Sequence, residues 1–184
     1  MIWLSSDLHL SHDRAFIYEP RGFVSVEDMN TAIVERFNSV VEPEDELFIL
    51  GDLMLGEYDE KNLSLIQSLN GKKTIIAGNH DTPRRRGLYE TVLGIAPLDA
   101  LYKKMNGYHC YLSHYPTITS NLEKESLKQC TINFFGHTHQ QDNFYKDIPY
   151  LYHVGVDSHD CYPVSIDQAI EDIKAKIKEC KEYL

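Results

Sequence analysis

Three absences from the sequence each exclude a class of protein. No segment approaches the roughly 20 consecutive apolar residues of a membrane-spanning helix, so we expect no membrane association. The first residues lack the charged and apolar regions of a secretory signal. The four cysteines form no Cys-x-x-Cys pair, which argues against a zinc knuckle, a redox dithiol or a dense disulfide framework. We therefore expect a cytoplasmic protein with reduced thiols.

Positive charge is also scarce. The chain has 18 Lys and Arg against 28 Asp and Glu, and its formal net charge is -10. Its one basic run, Arg84–Arg86, is interpreted as the solvated start of a helix. Proteins that bind duplex nucleic acid show a basic patch, so extended duplex is not an expected partner. A small phosphoester, such as a nucleotide, fits if metal ions supply the positive charge.

The 184 residues, 42% of them apolar, are sufficient for one buried core. Capping-box patterns at Ser25 and Ser165 predict helix starts, and Asn70-Gly71 predicts a helix end. Apolar runs predict strands at 2–6, 47–50, 74–77, 98–104, 108–113, 132–135 and 150–156. Asn106-Gly107 predicts a tight hairpin. The order predicts an α/β fold with a mixed sheet or two packed sheets and outer helices.

Metal-capable side chains follow five of these predicted strands. They are Asp7 and His9; Asp52; Asn79, His80 and Asp81; His114; and His137 with His139. Open α/β sheets place their ligand sites at such strand ends. Residues i and i+2 of an extended segment point the same way, so both members of a D-x-H or H-x-H pair can reach one cleft.

The composition of this group predicts its metal chemistry. Imidazole, carboxylate and amide ligands without thiolate suit Mn, Fe, Zn, Ni or Co better than Ca. The group is too large for one tetrahedral zinc site, and a mononuclear hydrolase would leave about half of it unexplained. Two divalent ions that share one carboxylate use the set economically. We expect two ions, with manganese favoured.

The ordered motifs resemble a known family. Asp7-x-His9, Gly51-Asp52, Gly78-Asn79-His80-Asp81, Ser113-His114 and Gly136-His137-x-His139 are similar to those of the calcineurin-like metallophosphoesterase superfamily. The compact length and the segments 154–157 and 163–165 resemble small bacterial and phage phosphoesterases. The resemblance implies a four-layer α/β/β/α sandwich of two mixed sheets. It implies one domain over residues 1–184, without a cap domain.

The resemblance also implies a role for each motif residue. The first metal would be held by Asp7, His9 and His139. The second would be held by Asn79, His114 and His137, with Asp52 bridging both. His80 would donate a proton or hydrogen bond to the phosphate or leaving oxygen, and Asp81 would orient it. A metal-bridging hydroxide would attack phosphorus in line, with a phosphodiester expected ahead of a phosphomonoester.

Three further residues are candidate substrate contacts. His12 fits a substrate contact and a surface position equally well. Arg14 and Arg21 follow the first motif and are within reach of a phosphate, although a non-substrate role is favoured for both. His153 is interpreted as structural, and His159 as a residue that could line the cleft.

A non-catalytic binding scaffold of the same fold is the alternative hypothesis. Scaffolds of this kind tend to lack motif residues, notably the histidine of the Asn-His-Asp motif. His80 and every ligand position are present, which favours the enzyme.

Overall fold

A computed structural model of the chain describes residues 1–56, 60–120 and 126–182. Within these ranges it contains the seven strands predicted from apolar runs, and a short eighth strand that was not predicted. The strands are β1 Ile2–Ser5, β2 Glu46–Leu50, β3 Lys72–Ile76, β4 Ala100–Met105, β5 Tyr108–Ser113, β6 Thr131–Phe135, β7 Leu151–His153 and β8 Val164–Ser165.

The strands form two mixed sheets of four. The first has the order β3-β2-β1-β8, with β1, β2 and β3 parallel and β8 antiparallel to β1. The second has the order β4-β5-β6-β7, with β4 antiparallel to β5 and the remaining pairs parallel. The predicted hairpin joins β4 to β5: Asn106 and Gly107 have φ of 46° and 84°, and Met105 pairs with Tyr108. Two positive φ values are typical of a type I′ turn.

The helices begin where the capping patterns predict. The Ser25 hydroxyl accepts a hydrogen bond from Asp28 N at 3.1 Å, and Ser165 accepts one from Gln168 N at 3.1 Å. The run Arg84–Arg86, interpreted as a helix start, lies in a short helix, Pro83–Leu88. The one-turn helix Ala15–Tyr18 was not predicted, because one turn is too short to show an apolar period. The helices are α1 Ala15–Tyr18, α2 Val26–Val40, α3 Glu60–Ser68, α4 Pro83–Leu88 and α5 Ile166–Glu182.

Alternating residues of β2 face two different buried clusters. Phe48 and Leu50 belong to the cluster between the two sheets, which also contains Phe134 of β6. Leu47 and Ile49 belong to the cluster on the other face, which includes the buried side chains of α2 and α3. This alternation is the two-residue period of a strand. The α/β sandwich of two mixed sheets is confirmed, with α5 packed on the inter-sheet cluster. In the described ranges, no helix is both long and apolar enough to cross a bilayer.

Backbone hydrogen bonds beyond the strand ends bring the loops of both sheets together. Asp7 N donates to Gly51 O at 3.0 Å, and His9 N donates to Asp52 O at 3.0 Å, which extends the β1–β2 pairing into the loops. Gly136 N donates to His114 O at 3.0 Å in the second sheet. The two sheets meet where Val156 N donates to Ser6 O at 3.1 Å. The polar residues after β1, β2, β3, β5 and β6 therefore converge on one edge of the sandwich.

Candidate metal centre

Five residues at this edge have a left-handed backbone. Asp7, His9, Asp52, His137 and His139 have φ of 56°, 50°, 54°, 70° and 47°. Only a few per cent of non-glycine residues adopt positive φ. Such conformations cost on the order of 1 kcal/mol each and cluster at functional sites. Here each of them turns a polar side chain from the end of a strand toward the same point.

Asp7, His9 and His139 form the first group of potential metal ligands. One ligand atom from each lies within 4.8 Å of the other two. His9 Nε2 is 3.2 Å from His139 Nε2, and His139 Nε2 is 4.0 Å from Asp7 Oδ1. Asp7 and His9 are buried, whereas His139 is partly exposed at the surface of the cleft.

Asn79, His114 and His137 form the second group. Asn79 Oδ1 lies 2.8 Å from His114 Nε2 and 2.8 Å from His137 Nδ1. Asp52 lies between the two groups: its Oδ2 is 3.8 Å from His9 Nε2 and 3.5 Å from His114 Nε2. Asp7, Asp52 and His114 also have ligand atoms within 4.8 Å of one another, so the two groups share carboxylates.

Two features of these residues fit bound cations. Asp7 Oδ1 is buried and has no hydrogen-bond partner among the described residues. A buried carboxylate oxygen without a partner is costly unless a cation compensates it. His114 Nδ1 lies 2.8 Å from the Leu50 carbonyl, to which it must donate. When His114 is neutral, its Nε2 is an acceptor, and it faces a second acceptor, Asn79 Oδ1. Two acceptors repel each other, and a metal ion bound between them would remove that repulsion.

Burial sets the protonation of several of these groups. It raises the pKa of Asp7 to about 6 and lowers the pKa of His9 to about 2. The pKa of His137 is also lowered, first by burial and then by the neighbouring His114. A low imidazole pKa keeps the ring neutral at physiological pH, and metals bind the neutral ring.

Asp157, which the sequence analysis assigned no role, supports His139 from behind. His139 Nδ1 lies 2.8 Å from Asp157 Oδ2, and this hydrogen bond raises the pKa of His139. Burial by itself would raise the pKa of Asp157, but the bonds from His139 and Arg21 outweigh it and lower that pKa. Asp157 follows the strand predicted at 150–156, so the strand-end rule that selected Asp7 would also have selected it.

Arg21 reaches the wall of the cleft, but its guanidinium is engaged inside the protein, which agrees with the non-substrate role favoured for it. Its side chain is 2% exposed and donates to both Asp157 oxygens, at 2.8 and 3.2 Å. It also donates to the carbonyls of Asp7 and Leu8, at 2.8 and 3.0 Å. These bonds engage the guanidinium inside the protein. Arg21 therefore fixes the loop that carries Asp7 and His9.

Asp81 acts on the main chain, and no described contact joins its carboxylate to the His80 ring. Its Oδ2 accepts hydrogen bonds from Gly78 N at 2.8 Å and Asp52 N at 2.9 Å. Its Oδ1 accepts from the buried Tyr89 hydroxyl at 2.9 Å. Asp81 thus supports the two loops that carry Asp52 and His80, and the orientation of His80 by Asp81 stays a prediction.

His80 is held by its backbone and leaves its ring at the cleft. His80 N donates to Asp52 Oδ1 at 2.8 Å, and its carbonyl accepts from the Arg85 guanidinium.

Arg85 also donates to Leu55 O at 3.2 Å and is buried. The interpretation of Arg84–Arg86 as a solvated helix start is thus wrong for Arg85. A solvated basic run and one with a buried member look alike in sequence.

The remaining candidates lie at the rim or outside the site. His12 Nδ1 is 3.3 Å from His9 Nδ1, so His12 extends the histidine cluster into the cleft. Arg14 is exposed and donates to the carbonyl of Asp13 at 3.2 Å. His153 is buried, with its Nδ1 2.8 Å from the Ser158 hydroxyl. His159 lies over Tyr152, with 5.9 Å between ring centroids, away from the ligand groups.

Tyr115 is a site residue that the sequence analysis missed. Its ring lies 5.1 Å from that of His114 and 4.7 Å from that of His137, both in edge-to-face geometry. It is half exposed, at 49%. Because it directly follows His114, its position in the sequence was the one available signal.

Comparison with known proteins identifies the family to which this arrangement belongs. The family model described as the calcineurin-like phosphoesterase superfamily domain matches residues 1–156. The chain belongs to this superfamily. An uncharacterized protein of Methanocaldococcus jannaschii is 30% identical over 183 residues, which cover 94% of this chain and 91% of that protein. A Gene 66 protein of a Mycobacterium phage is 29% identical, covering 94% of this chain and 97% of its own.

A solved structure shows the same fold. A protein of unknown function from Aquifex aeolicus superposes with a TM-score of 0.69 at 24% identity, over 93% of this chain and 98% of that one. The resemblance drawn from the five motifs is therefore confirmed at the level of the superfamily. Membership supports a hydrolase that acts on phosphoesters, and the side chains gathered at the strand ends include candidate metal ligands.

Proposed function

We propose that the protein is a dinuclear metal-dependent phosphohydrolase that cleaves phosphodiesters more readily than phosphomonoesters. The position of Asp52 supports the dinuclear part of this proposal. Its Oδ2 lies between His9 Nε2 and His114 Nε2, at 3.8 and 3.5 Å, while its Oδ1 is occupied by His80 N. One carboxylate oxygen thus faces both groups of ligands.

In this proposal each group holds one divalent ion. Asp7, His9 and His139 bind the first, and Asn79, His114 and His137 bind the second, with Asp52 shared. Mn²⁺ suits the mixed oxygen and imidazole donors. Ions held there would supply Lewis-acid activation of a water and neutralisation of phosphoryl charge for in-line displacement.

The protein's own residues hold and protonate the substrate. The His80 ring faces the cleft 5.5 Å from the His9 ring, centroid to centroid, while its backbone is fixed at both ends. From there it donates a proton or a hydrogen bond to the leaving oxygen. Asp81 keeps the Gly78 and Asp52 amides in place, so His80 and the shared carboxylate keep a constant relative position.

The test compares bis(4-nitrophenyl) phosphate with 4-nitrophenyl phosphate, using chelator-treated protein with and without added Mn²⁺. Asp52→Asn should lower kcat/KM by more than about 100-fold, because even outer-shell changes cost 10–100-fold. His80→Ala should retain metal binding while kcat falls about 10²- to 10⁴-fold, as expected for loss of a general acid. Asp147→Asn, an exposed carboxylate paired with Lys176, is the matched control.

The outcomes separate the proposal from its rival. Turnover that needs Mn²⁺ and is lost in both variants supports the phosphohydrolase. Full activity of Asp52→Asn, or turnover that is independent of metal, would falsify it. Binding of two ions without turnover of any ester would instead favour the non-catalytic scaffold.

A further inference from the structure

A cavity of about 550 Å³ opens beside the first group of ligands. One wall carries the rings of His9, His80 and His139. Apolar side chains, including Phe16 and Leu55, form a second part of the lining, the apolar wall. The volume lies within the range of about 300–1,000 Å³ that is typical of small-molecule sites. It exceeds what a phosphate and a small alcohol would fill, so the cavity has room for a larger group attached to the phosphoester.

Phe16 is the most distinctive part of the apolar wall. Its side chain is 69% exposed, and its ring meets His12 edge to face at 5.7 Å. An exposed phenylalanine buries little apolar area in the free protein, but it offers a π-face to a ligand. Stacking of a base on an aromatic ring contributes roughly 1–3 kcal/mol and tolerates any base.

The polar groups in the cavity wall favour a ligand group without charge. Arg21 reaches the cavity wall, but its guanidinium is bonded to Asp157 and to backbone carbonyls. The exposed amide of Gln141 is available at the rim to a neutral, hydrogen-bonding group. A planar group with polar edges matches this combination of apolar wall, aromatic face and amide.

We propose that this cavity binds the base of a small nucleotide whose phosphoester lies at the metal centre. The base stacks on Phe16, and Gln141 hydrogen-bonds its edge. The formal net charge of -10 favours a mononucleotide or dinucleotide over a polymer. This inference rests on the proposed phosphohydrolase for its chemistry, but the binding of a base can be measured separately.

The kinetic test uses two diesters with the same leaving group, in Mn²⁺: thymidine 5′-(4-nitrophenyl phosphate) and methyl 4-nitrophenyl phosphate. The wild type should have the lower KM for the nucleoside ester. Phe16→Ala should raise that KM about 5- to 150-fold, which is the stacking contribution expressed as a ratio, and leave the KM of the methyl ester unchanged. Phe16→Trp should restore the low KM. Tyr102→Ala removes another exposed aromatic ring, 58% exposed on β4, and should change neither KM.

A binding test makes the result independent of turnover. Calorimetry compares 5′-AMP with ribose 5-phosphate, each added to the Mn²⁺-loaded protein. Tighter binding of 5′-AMP that is lost in Phe16→Ala supports the base site, even if neither diester is hydrolysed and the proposed function fails. Equal affinities, or a Phe16→Ala effect that is the same for both ligands, would overturn it while leaving phosphoester hydrolysis intact.

Discussion

His139 and Asp157 are joined by a 2.8 Å hydrogen bond between Nδ1 and Oδ2, which fixes how His139 presents its other nitrogen. Because Nδ1 donates to the carboxylate, Nε2 is left as the acceptor that points to His9 and Asp7. Arg21 holds Asp157 in turn and also holds the Asp7 carbonyl. Outer partners of this kind set the tautomer and orientation of metal-binding histidines.

Asp157→Asn should therefore weaken metal binding. The amide lacks the charge that stabilises a proton on His139 Nδ1, so the ring becomes free to rotate or change tautomer. We expect the Mn²⁺ dissociation constant to rise about 10- to 100-fold. Turnover at saturating Mn²⁺ should recover to near the wild-type value. Titration of chelator-treated protein with Mn²⁺, followed by activity and by calorimetry, measures both quantities.

Asp147→Asn provides the matched control, since Asp147 is exposed and pairs only with Lys176 among the contacts described for it. It should bind Mn²⁺ as the wild type does. The role given to Asp157 is wrong if its variant binds Mn²⁺ with unchanged affinity. A kcat that stays low at saturating metal would also contradict it, because that would place Asp157 in the chemical step.

The ends of the strands were predictable from sequence because the signals there are local. An apolar run followed by Asp7 or His114 shows both the strand and the polar group that leaves it. Capping at Ser25 and the hairpin at Asn106-Gly107 also depend on neighbouring residues. The polar residues that follow β1 and β2 then lie together, because these strands pair in parallel. Which side chains of a strand share a face is also predictable, because the two-residue period is the same in every strand.

The contacts behind the ligands were not predictable, because they join residues far apart in the chain. The burial of Arg21 depends on Asp157, which is 136 residues away. Asp81 accepts from Asp52 N, 29 residues away. Arginine and aspartate at such positions are usually solvated, so sequence alone favours the surface for them. In the folded protein the two sheets meet at one edge, and Arg21 and Asp81 are enclosed there instead of being solvated.

Gly78 lies too close to Asp52 to carry a side chain. A Cβ at Gly78 would overlap Asp52 Oδ1 and approach Asp52 N to 2.7 Å. Gly78→Ala should therefore displace the shared carboxylate, abolish Mn²⁺-dependent activity and cost about 1–3 kcal/mol of stability, as overpacking does. Gly87→Ala is the control: its Cβ would meet nothing within 4 Å and lies in α4. It should gain up to about 1 kcal/mol from helix propensity. Thermal denaturation and turnover in Mn²⁺ check both, and an active Gly78→Ala would contradict the assigned position of Asp52.

Asp7 should destabilise the metal-free protein at neutral and alkaline pH. Burial raises its folded-state pKa from 3.8 to about 6, so the penalty is absent below pH 3.8 and complete above the folded pKa. In chelator at pH 8, Asp7→Asn should be more stable than the wild type by on the order of 3 kcal/mol. The difference should vanish near pH 4. Added Mn²⁺ should reverse the order, because it stabilises the wild type alone. Urea unfolding across this pH range measures the effect, and a less stable Asp7→Asn at pH 8 in chelator would refute it.

Tyr89 and Tyr152 make similar hydrogen bonds in different places, which separates stability from function. Each hydroxyl donates to a carboxylate: Tyr89 to Asp81 at 2.9 Å, and Tyr152 to Asp172 at 2.6 Å. Tyr89→Phe and Tyr152→Phe should each lower the free energy of unfolding by about 1.5–3 kcal/mol, the range for bonds to charged groups. Tyr89→Phe alone should also lower kcat, since Asp81 holds the Asp52 and Gly78 amides. Equal kcat in the two variants would mean that Asp81 supports the fold but not the reaction.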